Sequence, residues 1–361
     1  MGDFDNMVDV PASFKHAHLS CRRVTVEDWI LKVTTEGRNE LSNNSWMPLR
    51  DAASAQSLGS LQLPTEILHM ICLYIDLQSL RFLKATNSRM RTLISSLSEY
   101  HTLMIHAPGF LDLLQRTHLV SYFSITRLYN ALTCGTCSIC GHFAGFIFFP
   151  AMQRCCARCV CCDIDFMPID VKTAVKEYGV PLASLPLLPK LSSIPGKYAN
   201  RSRRVMSYSG KRTLVGRHEA RSLGTIKPKE RWDKTTARNT LQRNMCSAPM
   251  PVFNPKTNSA DSGRQCLGCS RASREHDDPY PCESCSFSFP NGIDVVGGDD
   301  LEQFRGIFKL STCIHKIRAE RLHSKDGFSD HLDNCPEAQN YLRAKKVKFN
   351  AMFQSSELSE E

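Results

Sequence analysis

Residues 61–94 read LQLPTEILHMICLYIDLQSLRFLKATNSRMRTLI, and the reading of this stretch decides the fold. Pro64 has a fixed φ and no amide proton to satisfy, which suits a helix start, and Glu66 puts acid near the positive helix end. Ile67, Leu68, Ile71, Cys72 and Ile75 recur at helical spacing and make one face continuously apolar. Asp76 can cap a second helix that carries Leu77, Leu80 and Leu83. Asn87 or Ser88 can open a third, with Met90, Leu93 and Ile94 inward and Arg89 and Arg91 outward. Three helices in about thirty residues bury little surface alone, so the segment needs a partner or a larger core.

Outward from there, Tyr100 to Leu132 continues as helix. Leu111, Leu114, Phe123, Ile125, Leu128 and Leu132 extend the apolar surface of the first three helices. His101, His106 and His118 read as surface or satisfied histidines rather than ligands. Upstream, residues 1–60 are mostly polar and are expected to be a disordered arm, with one helical turn at Trp29-Ile30-Leu31. The opening MGDFDN shows no secretory signal, and Asn6 breaks a myristoylation pattern. No apolar run approaches the roughly eighteen residues of a membrane span, so no membrane partner is expected.

The seventeen cysteines fall largely into C-x-x-C pairs. With no secretory signal, that pattern points to intracellular thiolates holding metal rather than to disulfides, in the cytoplasm or the nucleus. Cys137 and Cys140 face Cys156 and Cys159 across fifteen intervening residues, the spacing of a four-cysteine structural zinc site. Two thiolates on one tight turn can reach one tetrahedral ion, Gly141 permits that turn, and Phe143 to Phe149 can bring the second turn back as a strand or hairpin. Cys134, Cys155, Cys161 and Cys162 are left over. Nothing resembles a catalytic zinc, which keeps an open position.

A second group comprises Cys266-x-x-Cys269, Cys282-x-x-Cys285, Cys313-x-His315 and His331-x-x-x-Cys335. Either the two C-x-x-C pairs form a compact ribbon, or Cys266 and Cys269 join His331 and Cys335 across a long loop. The His331-x-x-x-Cys335 spacing puts both side chains on one face of a helix expected over Phe328 to Ala344.

Between these clusters, Asp170 to Gly179 reads as a helix with Asp170 as cap and Gly179 as stop, and Pro181 to Pro195 as an extended ledge. From Gly196 to Met245 there are fourteen Lys and Arg against three acids, a surplus of eleven that exceeds the whole chain's +9. This basic segment, interleaved with Tyr198, Tyr208 and Trp232, can suit nucleic acid, an acidic protein, or simply solvent. Asn244 to Gly263 again reads as linker. No nucleophile with a paired base and no Gly-rich phosphate loop is legible, so the chain is not expected to be an enzyme.

Leu63-Pro64-x-Glu66-Ile67, Tyr74-Ile75-Asp76-Leu77-x-x-Leu80 and Asn87-Ser88-Arg89-Met90-Arg91 resemble the F-box, with Thr86 and Met90 where a valine and an aromatic are usual. The F-box is the module by which substrate receptors dock on the Skp adaptor of cullin-based ubiquitin ligases. The resemblance implies adaptor binding through Leu63, Pro64, Glu66, Ile67, Ile71, Leu77 and Leu80. The order that follows is Cys137-x-x-Cys140-Gly141, Arg154-x-Cys156-x-x-Cys159, Pro195-Gly196-x-Tyr198, Cys266-x-Gly268-Cys269 and His331-x-x-x-Cys335-x-x-Ala338-Gln339. It resembles a group of fungal F-box proteins and implies the second partition, with Cys282 and Cys285 in an insertion. Two structural zinc ions are then expected, the second held by Cys266, Cys269, His331 and Cys335.

The expected fold is α+β and mostly α: an arm over 1–60, the F-box over 61–105, a helical extension with the first zinc cluster over 106–190, a basic linker over 191–263, the second cluster with a C-terminal helix over 264–345, and a disordered tail over 346–361. The expected function is a ligase substrate receptor that binds the adaptor, through it a cullin, and an unidentified protein target. The alternatives are a zinc-dependent nucleic-acid-binding or chromatin protein, and an F-box scaffold acting outside a ligase.

Overall fold

Short capped helices, rather than long ones, carry the first part of the chain. The computed structural model describes residues 30–33, 63–199, 205–226, 236–275, 318–319 and 321–344. The readings made for the rest of 1–60, for Trp232, for Cys282, Cys285, Cys313 and His315, and for 346–361 lie outside the described residues. The first described element, Ile30–Val33 (β1), is a strand where a helical turn was expected, its backbone paired antiparallel with residues 196–198. The pairing partner lies far along the chain, so local propensity does not reveal it.

Six helices follow: Thr65–Tyr74 (α1), Leu77–Thr86 (α2), Ser88–Ser96 (α3), Ser98–His106 (α4), Pro108–Arg116 (α5) and Ile125–Thr133 (α6). The caps explain the breaks. Asp76 accepts from the backbone N–H groups of Gln78 and Ser79, and Asn87 accepts from that of Met90 at 2.8 Å. Both satisfy amides that a helix start leaves without intrahelical partners. Leu68, Cys72, Leu77, Leu80, Ile94, Leu103, Leu128 and Leu132 are buried and hold these helices together. The last helix packs back on the first: the Ile125 N–H donates to the Ile75 carbonyl, and the Thr126 hydroxyl donates to the Leu73 carbonyl at 2.9 Å.

Beyond Cys134 the elements shorten further. In order they are Phe146–Phe148 (β2), Gln153–Cys155 (β3), Ala157–Cys162 (α7), Pro168–Asp170 (β4), Val171–Tyr178 (α8), a 3-10 turn at Leu182–Leu187, Leu191–Ser192 (β5), Gly196–Ala199 (β6), Val205–Tyr208 (β7), Thr213–Gly216 (β8), Arg217–Leu223 (α9), Thr236–Met245 (α10), Ser247–Pro249 (β9), Val252–Asn254 (β10) and Ser259–Asp261 (β11). β2 is the centre of a three-stranded sheet between β3 and β9; β8 is the centre of another between β4 and β5; β6 lies between β1 and β7; and β10 pairs with β11. All three residues of β2 are buried.

The stretch read as a basic linker, 191–263, therefore supplies strands to every one of these sheets. Its charges conceal this, because in strands of two to four residues the buried positions are too few to make a visible alternation. The expected ledge at Pro181 to Pro195 likewise contains the 3-10 turn and β5. Asp170 does precede α8 and Gly179 does end it, but the Asp170 carboxylate makes no cap bond and pairs instead with Arg212 at 3.6 Å.

Two compact units divide the chain: Val24–Ser262, and Met1–Arg23 together with Gly263–Glu361. In the second, Leu267–Glu275 (α11) and Lys325–Asp333 (α12) are described, with helical backbone again over 336–344. The single helix expected over Phe328 to Ala344 is thus broken at Asn334 and Cys335. Its core consists of Cys266, Cys269, Phe328, Leu332, Cys335 and Ala338.

Candidate metal centres and an exposed apolar helix face

The first four-cysteine set meets at one point. After α6 the chain makes a tight knuckle: the Cys137 N–H donates to the His142 carbonyl, and the Gly141 N–H to the Cys137 carbonyl. Gly141 has φ +69°, which its missing Cβ allows, as the sequence reading expected. The β2–β3 hairpin then returns the chain, and Cys156 stands at the N-cap of α7, where its sulfur accepts from the Cys159 N–H at 3.4 Å. The ligand atoms of Cys137, Cys140, Cys156 and Cys159 all lie within 4.8 Å of one another, and the sulfurs of Cys140 and Cys156 are 3.6 Å apart. A tetrahedral ion with sulfurs at about 2.3 Å has ligand separations of about 3.8 Å, so the spacing fits zinc. It is too long for a disulfide, whose sulfurs lie about 2.05 Å apart.

The second set is made of residues far apart in the chain, and it has the membership of one of the two partitions. Cys266, Cys269, His331 and Cys335 also have ligand atoms within 4.8 Å of one another, with Cys269 Sγ at 3.4 Å from Cys335 Sγ and 3.6 Å from His331 Nε2. Cys266 and Cys269 flank the start of α11, His331 comes from the last turn of α12, and Cys335 from the break after it. An antiparallel bridge between Arg264 and His323 holds the two arms together. The His323 ring stacks on that of His331 with centroids 4.2 Å apart, restricting the ligand's orientation.

Within each cluster, hydrogen bonds among the sulfurs pull one thiol down and push a neighbouring one up. Side-chain hydrogen bonds from Cys156 and Cys159 pull the Cys137 thiol well below its ordinary range, against the opposing effect of burial. In return Cys156 is pushed up to about 12, chiefly by its bond to Cys137, and Cys159 is pushed up as well. In the second cluster, bonds from Cys269 and Cys335 pull Cys266 down to about 3, while Cys269 is pushed up. A divalent ion replaces the shared protons and stabilises all the thiolates together, so the donor sets fit closed structural zinc sites.

The other cysteines whose side chains are described join neither set. Cys134 is exposed, Cys155 and Cys246 are buried, and burial alone pushes the Cys246 thiol well above its usual range.

Beside the first centre lies a residue that the sequence showed in a motif but without a role, Arg154. Arg154 is buried, and its guanidinium donates to the carbonyls of Ala131, Leu132, Ala144, Met250 and Pro251. The sequence signal was its place two residues before Cys156 in Arg154-x-Cys156-x-x-Cys159, which gives no hint of the carbonyls it gathers.

Several of the described residues of the basic segment are bonded within the fold. Arg212 bonds the Tyr208 hydroxyl at 2.7 Å, Arg217 bonds that of Tyr178 at 2.6 Å, and buried Arg243 donates to the Val160 and Asp163 carbonyls. Tyr198, a candidate stacking residue, is buried with its hydroxyl bonded to the Ile194 carbonyl.

The apolar face of α1 divides in two. Leu68 and Cys72 point into the core, while Leu63 just before the helix and Ile67, Met70, Ile71 and Tyr74 on it stay exposed, Tyr74 at 76% and Ile71 at 43%. Pro64 and Glu66 are exposed beside them. Leu77 and Leu80, expected among the docking residues, have 0% exposure and hold α2 to its neighbours instead. Helical spacing reports that both rows are apolar; it does not report which one the protein fills.

Among the described residues no helix is long and apolar enough to cross a membrane. No curated protein and no solved structure matches the chain. A family model does match part of the chain: residues 60–102, which include α1–α3, match the F-box domain, whose family is a non-catalytic adaptor module.

Proposed function

We propose that the chain is the substrate-receptor subunit of a Skp–cullin–F-box ubiquitin ligase, acting in the cytoplasm or nucleus. The observation that carries this reading is the outward row Leu63, Ile67, Met70, Ile71 and Tyr74 on a helix whose inner row is already buried. Fully burying an exposed side chain of this size contributes about 1.5–3 kcal/mol, and with 36–57% of Leu63, Ile67, Met70 and Ile71 still exposed, a groove that accepts the row has roughly half of that to gain at each of them. The zinc-stabilised remainder presents the surface for a protein target. Transfer chemistry belongs to other subunits, and this chain raises the target's effective concentration near the ubiquitin donor.

The test is co-purification with the Skp adaptor of the wild-type chain and of Leu63→Asp/Ile67→Asp. Both positions are exposed, so the double variant should keep its fold and both zinc equivalents and lose the adaptor. Undiminished adaptor recovery by that variant would sink the docking assignment.

A further inference from the structure

The first metal centre and the outward face of α1 belong to one compact unit, and a continuous run of hydrogen bonds connects them. At the metal end, the Arg154 carbonyl accepts from both the N–H and the hydroxyl of Ser138, at 3.1 and 3.2 Å. Ser138 lies between the ligands Cys137 and Cys140, and Arg154 itself precedes the ligand Cys156 by two residues. The backbone of Arg154 therefore joins the two ligand turns.

Its side chain points the other way. Nε donates to the Ala131 carbonyl at 2.5 Å and Nη2 to that of Leu132 at 3.1 Å. These carbonyls belong to the last turn of α6, where a helix runs out of backbone donors. Nη1 bonds the carbonyls of Ala144 and Met250, and Nη2 that of Pro251. At the opposite end of α6, Ile125 and Thr126 hold the carbonyls of Ile75 and Leu73, where α1 ends. An antiparallel bridge between Asp76 and Ser124 lies beside them.

We propose that Arg154 is a positioning residue that ties the first metal centre to α6, and through α6 fixes α1 in the pose that presents its apolar row. Metal at the first centre is then a condition of that pose, while metal at the second centre is not. A guanidinium is suited to the task because it offers five N–H donors in one rigid plane, enough to gather carbonyls from three separate segments. The inference rests on the receptor reading for its functional meaning, though not for its physics.

The experiment uses the full zinc-loaded chain without adaptor and compares wild type, Arg154→Met, Cys140→Ser and Cys266→Ser. Two quantities are followed: zinc released to a colorimetric chelator, and amide hydrogen exchange over 65–74, 125–133 and the distant β4–β5–β8 sheet. Arg154→Met should release one zinc equivalent faster by about tenfold to a hundredfold, the range found for groups that orient metal ligands, and leave the other unchanged. Exchange over 65–74 should rise in Arg154→Met and Cys140→Ser and stay at the wild-type level in Cys266→Ser.

Unchanged zinc release in Arg154→Met overturns the proposal. So does unchanged exchange over 65–74 in Cys140→Ser, or an equal rise across the distant sheet, which marks general unfolding. Because no adaptor is present, failure of wild-type adaptor co-purification would count against the receptor reading alone.

Discussion

At the scale of single residues, the second metal centre depends on a contact made by an atom that is missing. A Cβ placed on Gly268 would lie 2.6 Å from Cα and N of Ala338 and from the carbonyl carbon of Glu337. All three are backbone atoms, so no side-chain rotation relieves the overlap. In the sequence, Gly268 is only a letter in Cys266-x-Gly268-Cys269; that it lets two backbones approach is revealed by the tertiary partner alone. Gly268→Ala should separate the ligand turn from the 336–344 helix and carry Cys335 away from Cys266 and Cys269. The expected cost is about 2 kcal/mol or more, typical when buried backbone must shift. Metal analysis of the purified variant should find one zinc per chain in place of two. Two retained equivalents would show that the segment relaxes without loss of the site.

At the scale of elements, the F-box helices show what a sequence can and cannot say about its own packing. The breaks were legible because caps are local: Asp76 and Asn87 bond amides two or three residues ahead. The C-x-x-C turns were legible for the same reason, since each pair of ligands is placed by four residues. The sorting of apolar rows was not, because Leu80 and Ile67 carry the same local signal and only the arrangement of the other helices fills one and leaves the other. Nor was the β2–β9 pairing, whose strands are a hundred residues apart, with Phe146 opposite Pro249. Stability measurements separate the rows. Leu80→Ala removes a fully buried side chain and should cost about 2–5 kcal/mol. Ile67→Ala, at a position 42% exposed, should stay within about 0.5 kcal/mol. Urea unfolding of the isolated chain checks both. A large cost at Ile67 would mean that the outward row is part of the core.

At the scale of the whole molecule, the two units depend on metal to different degrees. Three of the seven buried hydrophobic residues described in the second unit are the ligands Cys266, Cys269 and Cys335. Around these ligands the described apolar core adds only Leu322, Phe328, Leu332 and Ala338, so metal binding there should contribute folding free energy directly. The unit containing α1–α6 has a much larger apolar core and should keep most of its fold without metal. Acid provides the discriminating perturbation. Without metal, hydrogen bonding to neighbouring sulfurs raises Cys269, so it holds its proton at neutral pH and zinc must displace that proton. Stabilisation by metal is therefore present at higher pH and is lost as pH falls and protons reclaim the sulfurs. Lowering the pH of the zinc-loaded chain from about 8 to about 5 should release zinc and expose 263–275 and 321–344 to protease, while 77–116 stays protected. Restoring pH with zinc present should recover resistance, and restoring it with chelator present should not. If 321–344 resists protease when zinc-free, then Phe328, Leu332 and Ala338 suffice for that core, and the second metal only decorates a fold that exists without it.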